Sequence, residues 1–289
     1  MFRKQLLLIL AILALMTMAC RVLATVPSVE YKVGPTVTDE INVPLLADPG
    51  ATARVELAFG AGELILRPGA EGSLVNGKAT YNVAEFKPNV TLEGNQARII
   101  QGNGQIEGFP KIADNYRNTW DLQLGVAPLD LSIKAGAYQG RIELGGLSLK
   151  GLHVTDGAAD VELSFSEPNR VEMESLRYDS GASKVTLSGL ANANFTSMEF
   201  KGGAGDYTFN FSGKLQRDAT VSIESGLSNT TIIVPEGVSA RLSVDGGLTN
   251  VELGGQWQAS GGDYVLSGDG PTLTFIVKMG AGNLGLRNQ

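Results

Sequence analysis

The chain has very few of the residues from which enzyme centres are usually assembled. Its 289 residues include one histidine, His153, and one cysteine, Cys20. A single histidine excludes zinc sites built on several histidines and proton relays that need a spare one. A single cysteine excludes an internal disulfide. Aromatic residues make up only 7%, so a mainly aliphatic core is expected. Lysine and arginine form no stripe and the net charge is −7, which excludes the clustered phosphate contacts of a nucleic-acid binder. No segment beyond residue 25 keeps a helical period, and no apolar run reaches the ~20 residues of a membrane-spanning helix.

What the chain does have begins at the N-terminus. Arg3 and Lys4 precede an uncharged apolar run of 14 residues, Leu6 to Ala19. That is the length of a signal-peptide core. Thr17-Met18-Ala19-Cys20 resembles a lipobox, in which the cysteine is lipidated and becomes the new N-terminus. Ala19 fits that pattern, whereas Thr17 stands where leucine is usual. Cleavage after Ala24 and an uncleaved anchor are the competing readings. Because the only cysteine sits where the apolar run stops, lipidation at Cys20 is the favoured one. The expected location is therefore extracytoplasmic, held to the cell membrane by lipid, or otherwise secreted.

Glycine is abundant, at 37 residues, and it is spaced rather than clustered. Aligning the glycines exposes a repeat. Gly136, Gly157, Gly181, Gly203, Gly226, Gly247 and Gly280 each precede a short alternating strand such as Val161-Glu-Leu163 or Val185-Thr-Leu187. Their steps are 21, 24, 22, 23, 21 and 33 residues. The long last step holds an insertion at 256–270 with a hairpin expected at Gly261-Gly262. Between corners, a turn marked by proline or glycine and a second alternating strand complete each unit. One unit has too little apolar surface to stand alone, so the units must stack. The expectation is an all-β, single-stranded β-solenoid-like stack of repeats of about 22 residues, with rungs ~4.8 Å apart. A tight corner is expected to need positive φ, which would explain the glycines. Three residues after each corner glycine recurs a polar residue: Asp160, Lys184, Asp206, Asn229, Asn250 and Asn283. Stacked asparagines of this kind can form a hydrogen-bonded ladder.

The first part is less regular. Gly60 and Gly62 already carry the corner theme, and a meander follows over 73–102. A cluster of Gly, Asn and Pro near 103–118 marks a soft boundary. The chain thus divides into a signal segment, 1–24, a β-rich N-terminal region, 25–118, and a repeat domain, 119–289. Tyr31 to Ala58 is expected to cover the N-terminal end of the stack, and the insertion to fold over the last rung.

Several of these segments together resemble a known family. Gly60-Ala-Gly62-Glu-Leu64, Leu74-Val-Asn-Gly-Lys-Ala-Thr-Tyr81-Asn82 and Lys87-Pro-Asn-Val90 are similar to the N-terminal region of the bacterial toast-rack family. Trp120-Asp-Leu-Gln-Leu124, the Gly181-Ala-Ser183 and Gly203-Ala-Gly205 corners, Leu190-Ala-Asn-Ala-Asn194 and Phe209-Asn-Phe-Ser-Gly213 are similar to its C-terminal repeats. The resemblance implies a β-solenoid-like fold on the outer side of a bacterial membrane, with distant kinship to LiaF-type envelope-stress proteins and to adhesins. It carries over no catalytic residues.

Nothing in the sequence assembles a catalytic motif. A Ser-His-Asp triad through His153 lacks a Gly-x-Ser-x-Gly elbow, and His153 alternates with Leu152 and Val154 in an expected strand. Glu143, Glu162, Glu172, Glu174 and Glu252 are spread along strands and read as a solvated face, although carboxylates on adjacent rungs could approach to the ~5–9 Å of a glycosidase pair. Gly202-Gly-Ala-Gly205-Asp206 lacks the spacing and the tandem copies of a calcium nonapeptide. No cofactor or metal is expected. The reading is a non-catalytic, lipid-anchored adhesion or envelope-scaffolding protein whose partner is an envelope protein or polysaccharide. A LiaF-like stress sensor is one alternative. A carbohydrate-binding or carbohydrate-active solenoid is another, and it would need an exposed aromatic platform. Tyr138, Tyr178, Tyr207, Trp257 and Tyr264 are the candidates for one.

Overall fold

The computed structural model describes residues 28–29, 31–102, 109–110 and 115–289. Cys20 and the signal segment lie outside the described residues, as does most of the 103–118 boundary. In chain order the strands are β1 (Ser28–Val29), β2 (Val33–Pro44), β3 (Ala53–Pro68), β4 (Ser73–Val83), β5 (Pro88–Glu93), β6 (Gln96–Gln101), β7 (Phe109–Pro110), β8 (Asn118–Leu124), β9 (Leu129–Glu143), β10 (Leu149–Ser164), β11 (Met173–Ser188), β12 (Phe195–Asn210), β13 (Ala219–Val234), β14 (Ser239–Leu253), β15 (Gln258–Ser260), β16 (Asp263–Leu266) and β17 (Thr272–Asn288). β1 pairs with β7, and the other fifteen form one sheet.

Each repeat contributes one long strand folded at its glycine into two arms. From Gly151 on, the buried positions of β10 are Leu152, Val154 and Asp156 before the corner, and Val161 and Leu163 after it. Side chains alternate along a strand, so this switch from even to odd positions bends the strand and turns both arms toward one core. Neighbouring rungs pair in parallel and in register, which stacks like on like: Leu152 aligns with Leu176, and Leu163 with Leu187. The turns between β10, β11 and β12 are sealed by the buried Asn169, Asn192 and Asn194. Asn169 accepts from the Leu149 amide and donates to the Leu149 carbonyl, both at 2.8 Å.

The corner glycines form a single row, in spatial order Gly60, Gly136, Gly157, Gly181, Gly203, Gly226, Gly280 and Gly247, as the registers on either side of them require. The expected reason for glycine there is corrected. None of the eight has positive φ. What excludes a side chain is the neighbouring rung: a Cβ on Gly181 would lie 2.3 Å from the Gly157 carbonyl oxygen, and one on Gly203 2.6 Å from that of Gly181. Positive φ falls instead two residues later, at Gly205 (156°) and Gly282 (133°).

The rung order also departs from the sequence order. The strands run β9-β10-β11-β12-β13 in succession, but β17 then inserts between β13 and β14. The outermost rung is therefore β14. The insertion forms the expected hairpin, β15–β16, turning at Gly261 and Gly262, and β16 pairs antiparallel with Ala240–Leu242 of β14.

At the other end, β3 is the first rung and pairs with β9 along both arms, so the sheet runs unbroken across residues 118 and 119. Beyond β3 the two arms are covered separately. Arg54–Ala58 pairs with β6, which is backed by β5. Glu63–Pro68 pairs with β8, which leads outward to β4 and β2. Only Val33–Pro44 of the expected N-terminal cover is an outer strand, because residues from Ala53 on belong to the first rung. Trp120, fully buried, stacks on Phe59 with ring centroids 5.4 Å apart, and Tyr138 packs edge-on to Phe59.

Candidate functional site

Stacking in register turns each outward position of a rung into a row. Six residues before the corner the row reads Arg54, Asp130, Gly151 and Ser175; four before, Glu56, Ser132, His153, Arg177 and Glu199; two before, Lys134, Thr155, Asp179 and Lys201. These rows make the outer face of the first arms. Their charges pair both across rungs and along a rung. Glu56 takes Lys134 at 2.9 Å and Arg98 at 3.1 Å. Burial pushes the Glu56 carboxyl up, but Lys134 and Arg98 together hold it below its ordinary value. Arg177 bonds Asp179 at 2.7 Å and Glu199 at 3.3 Å, and Glu199 takes Lys201 at 2.6 Å. Arg177 first, with His153 adding, lowers the Asp179 pKa.

Between the two paired clusters lies an open depression of about 370 Å³, lined by Arg54, Glu56, Asp130, His153, Ser175 and Arg177 among others. Gly151 creates it: a Cβ there would come within 3.2 Å of the Asp130 carboxylate. Asp130 makes no side-chain hydrogen bond or ion pair among the described residues, although Arg54 is its neighbour in register. Burial raises its pKa, Arg54 and Lys150 oppose the rise, and Glu174 adds to it. A half-buried carboxylate with open acceptor sites beside a guanidinium suits ligand hydroxyl or ammonium groups.

His153 sits where the sequence placed it, in a strand and facing out. It is 3.0 Å from Asp179 and 3.3 Å from Thr155 through Nε2. No serine hydroxyl bonds the ring among the described residues, so the triad geometry is not assembled. Glu143 is a turn brace. It accepts from the Gly145 amide at 2.6 Å, from the Ser166 amide and hydroxyl, and from Ser164. Burial raises its pKa and these donors lower it further than burial lifts it. Glu172 pairs with Arg217, and Glu252 with Arg287. Gly202 and Gly205 make room for the Tyr207 ring, 2.6 and 3.2 Å from where their Cβ atoms would be. Among the described residues no three His, Cys, Asp or Glu side chains gather as a metal site.

The polar row beyond the corner is a ladder. Asn229 donates to Asp206 at 3.0 Å, Asn283 to Asn229 at 3.0 Å, and Asn250 to Asn283 at 3.4 Å. Of the five candidates for an aromatic platform, Tyr138, Tyr178, Tyr207 and Trp257 are buried and Tyr264 is half-buried against the core. Tyr178 donates to the buried Asp156 at 2.7 Å, and Trp257 to the Arg287 carbonyl at 3.1 Å. The residues missed in sequence are Arg54, Asp130, Gly151 and Arg177. Their signal was a constant offset from the corner, six or four residues ahead of it.

A family model described as the N-terminal domain of toast_rack matches residues 32–188 and 168–233, more than half of the chain. Nothing among the curated proteins matches it. Among solved structures, a "putative cell adhesion protein" from Clostridium sporogenes is 17% identical, covers 88% of this chain and all of its own, and has a TM-score of 0.49. A "putative lipid binding protein" from Parabacteroides distasonis is 11% identical, with 89% and 99% covered and a TM-score of 0.39. A "putative adhesin" from Bacteroides fragilis is 12% identical over 89% and 99%, with a TM-score of 0.35.

Proposed function

Given that the chain belongs to the toast-rack family, we propose that it is a non-catalytic extracytoplasmic protein, tethered through lipid at Cys20, that presents a rigid charged face for adhesion or envelope scaffolding. In this reading, 1–24 is the signal segment, cleaved before Cys20, 25–118 is the region that closes one end of the stack, and 119–289 is the repeat domain that carries most of the face. The observation that supports it best is the outer face of the first arms. Within it Glu56, Lys134, Arg177, Asp179, Glu199 and Lys201 are fixed by ion pairs at the rung pitch, whereas the Asp130 carboxylate in the depression has no ion pair among the described residues. Such a surface recognises a partner by charge register rather than by a reactive group. The burial of the aromatic residues disfavours a sugar-stacking platform.

Two measurements test this. Radiolabelled palmitate should enter the natural chain and not Cys20→Ala; equal labelling removes the tether. Cells displaying the natural chain should bind envelope polysaccharide or envelope protein fractions more strongly than cells displaying Asp130→Lys. Equal binding, with display levels matched, removes the face from the function.

A further inference from the structure

The hairpin protects only half of the outermost rung. β16 pairs with Ala240–Leu242, in the first arm of β14. The second arm, Leu248–Leu253, pairs with β17 on one side and, among the described residues, with no strand on the other. The contrast with the rung beneath it is plain. Leu284 and Leu286 of β17 are fully buried, whereas their register partners are uncovered: Val251 is half-buried and Leu253 is 41% exposed. Leu248, beside the corner, is 81% exposed. The arm is a straight open edge of six residues, ~20 Å long, that still presents backbone donors and acceptors and part of a core.

We infer that this edge is occupied by the same edge of a second copy of the chain, paired antiparallel about a two-fold axis at Asn250. Three features favour a second copy. A two-fold axis normal to a sheet makes two identical edges antiparallel, so the pairing is closed and isologous. Centred on Asn250, it sets Leu248 against Glu252 and Thr249 against Val251. Glu252 is the only charged residue from Gly246 to Leu253, and no like charges then face each other. Finally, the amide ladder ends at Asn250, which gives one N–H to Asn283 and keeps its second N–H and its Oδ1. Two such amides across a two-fold can each donate to the other, so the ladder would run on from one copy into the next. Lysine at an edge is the usual means of preventing such pairing, and the arm has none.

The test uses the full-length chain. Solubilised in detergent and sedimented at about 100 μM, well above a micromolar Kd, the natural chain should run as a dimer. Asn250→Lys, which places two ammonium groups at the axis, should run as a monomer, with a cooperative melting curve within a degree or two of the natural chain's in dilute solution. In cells under oxidation, Asn250→Cys should give a cross-linked species of twice the chain mass. The unsubstituted chain and Asn229→Cys, two rungs inside the stack, should give none. A natural chain that sediments as a monomer overturns the proposal. So does a cross-link from Asn250→Cys to a species of any other mass, which would assign the edge to a different protein.

Discussion

The two ends of the stack solve the same problem to different degrees. At the N-terminal end the first rung, β3, is covered along both arms, by β6 and β5 on one and by β8, β4 and β2 on the other. That cover buries large side chains, with Trp120 and Leu122 fully inaccessible. At the C-terminal end a two-strand hairpin covers three residues of one arm, and among the described residues no strand pairs with the outer side of the other. A parallel stack stores apolar surface rung by rung, and its stability at any point depends on what lies on both sides. The N-terminal end is therefore built as an interior and the C-terminal end as a surface.

The largest test of this contrast is in the core. Trp120→Ala should cost about 3–5 kcal/mol, because a fully enclosed ring leaves a cavity that its neighbours cannot fill. Val251→Ala, at the open end, should cost under about 1 kcal/mol. Denaturant unfolding of both variants measures the difference, and equal losses would mean that the C-terminal end is covered after all.

A second, smaller contrast lies in the corner row. Gly181→Val drives a side chain toward a carbonyl oxygen 2.3 Å from its Cβ, whereas at Gly247 the nearest atom is at 3.2 Å. The first change should cost about 1–3 kcal/mol and the second distinctly less. Thermal melting of the two valine variants checks this. A larger loss at Gly247 would show that the corner, rather than the rung spacing, demands glycine.

The smallest effect concerns the amide ladder. Asn229→Ala removes a bond to Asp206 and a bond from Asn283, both exposed, and should cost about 1 kcal/mol. Asn250→Ala, which loses one long bond, should cost a few tenths. Chemical denaturation of dilute protein resolves the pair, and equal values would mean that the ladder continues past Asn250.

Much of this architecture was legible in the residues. The alternation in Val161-Glu-Leu163 and Val221-Ser-Ile223 gave the strands, because period two has no other outlet in a sheet with one buried face. The offset of three from each corner led to the ladder of Asp206, Asn229, Asn283 and Asn250. Three things were not legible. Asn250-Val-Glu-Leu253 and Asn283-Leu-Gly-Leu286 share one pattern, so either could follow β13; repeats of equal register are interchangeable until packing chooses. The cause of the corner glycines was misread because a short distance to the neighbouring rung leaves no trace in a single repeat. The depression at Asp130 depends on Gly151, one rung further on, and sequence does not display neighbours across rungs as neighbours.

The seating of β17 has a consequence for how the molecule assembles. Synthesis delivers a chain from its N-terminus, and a solenoid could then grow one rung at a time as it emerges. Here β14 emerges before its only strand partner along the full rung, for β17 follows the hairpin in sequence and yet must lie beneath β14. The stack therefore cannot take its final order beyond β13 until β17 arrives and is seated between β13 and β14. Loss of residues 272–288 would then remove two rungs' worth of order, not one. β17 thus acts as the keystone: the stack is complete only once the chain has emerged through that strand.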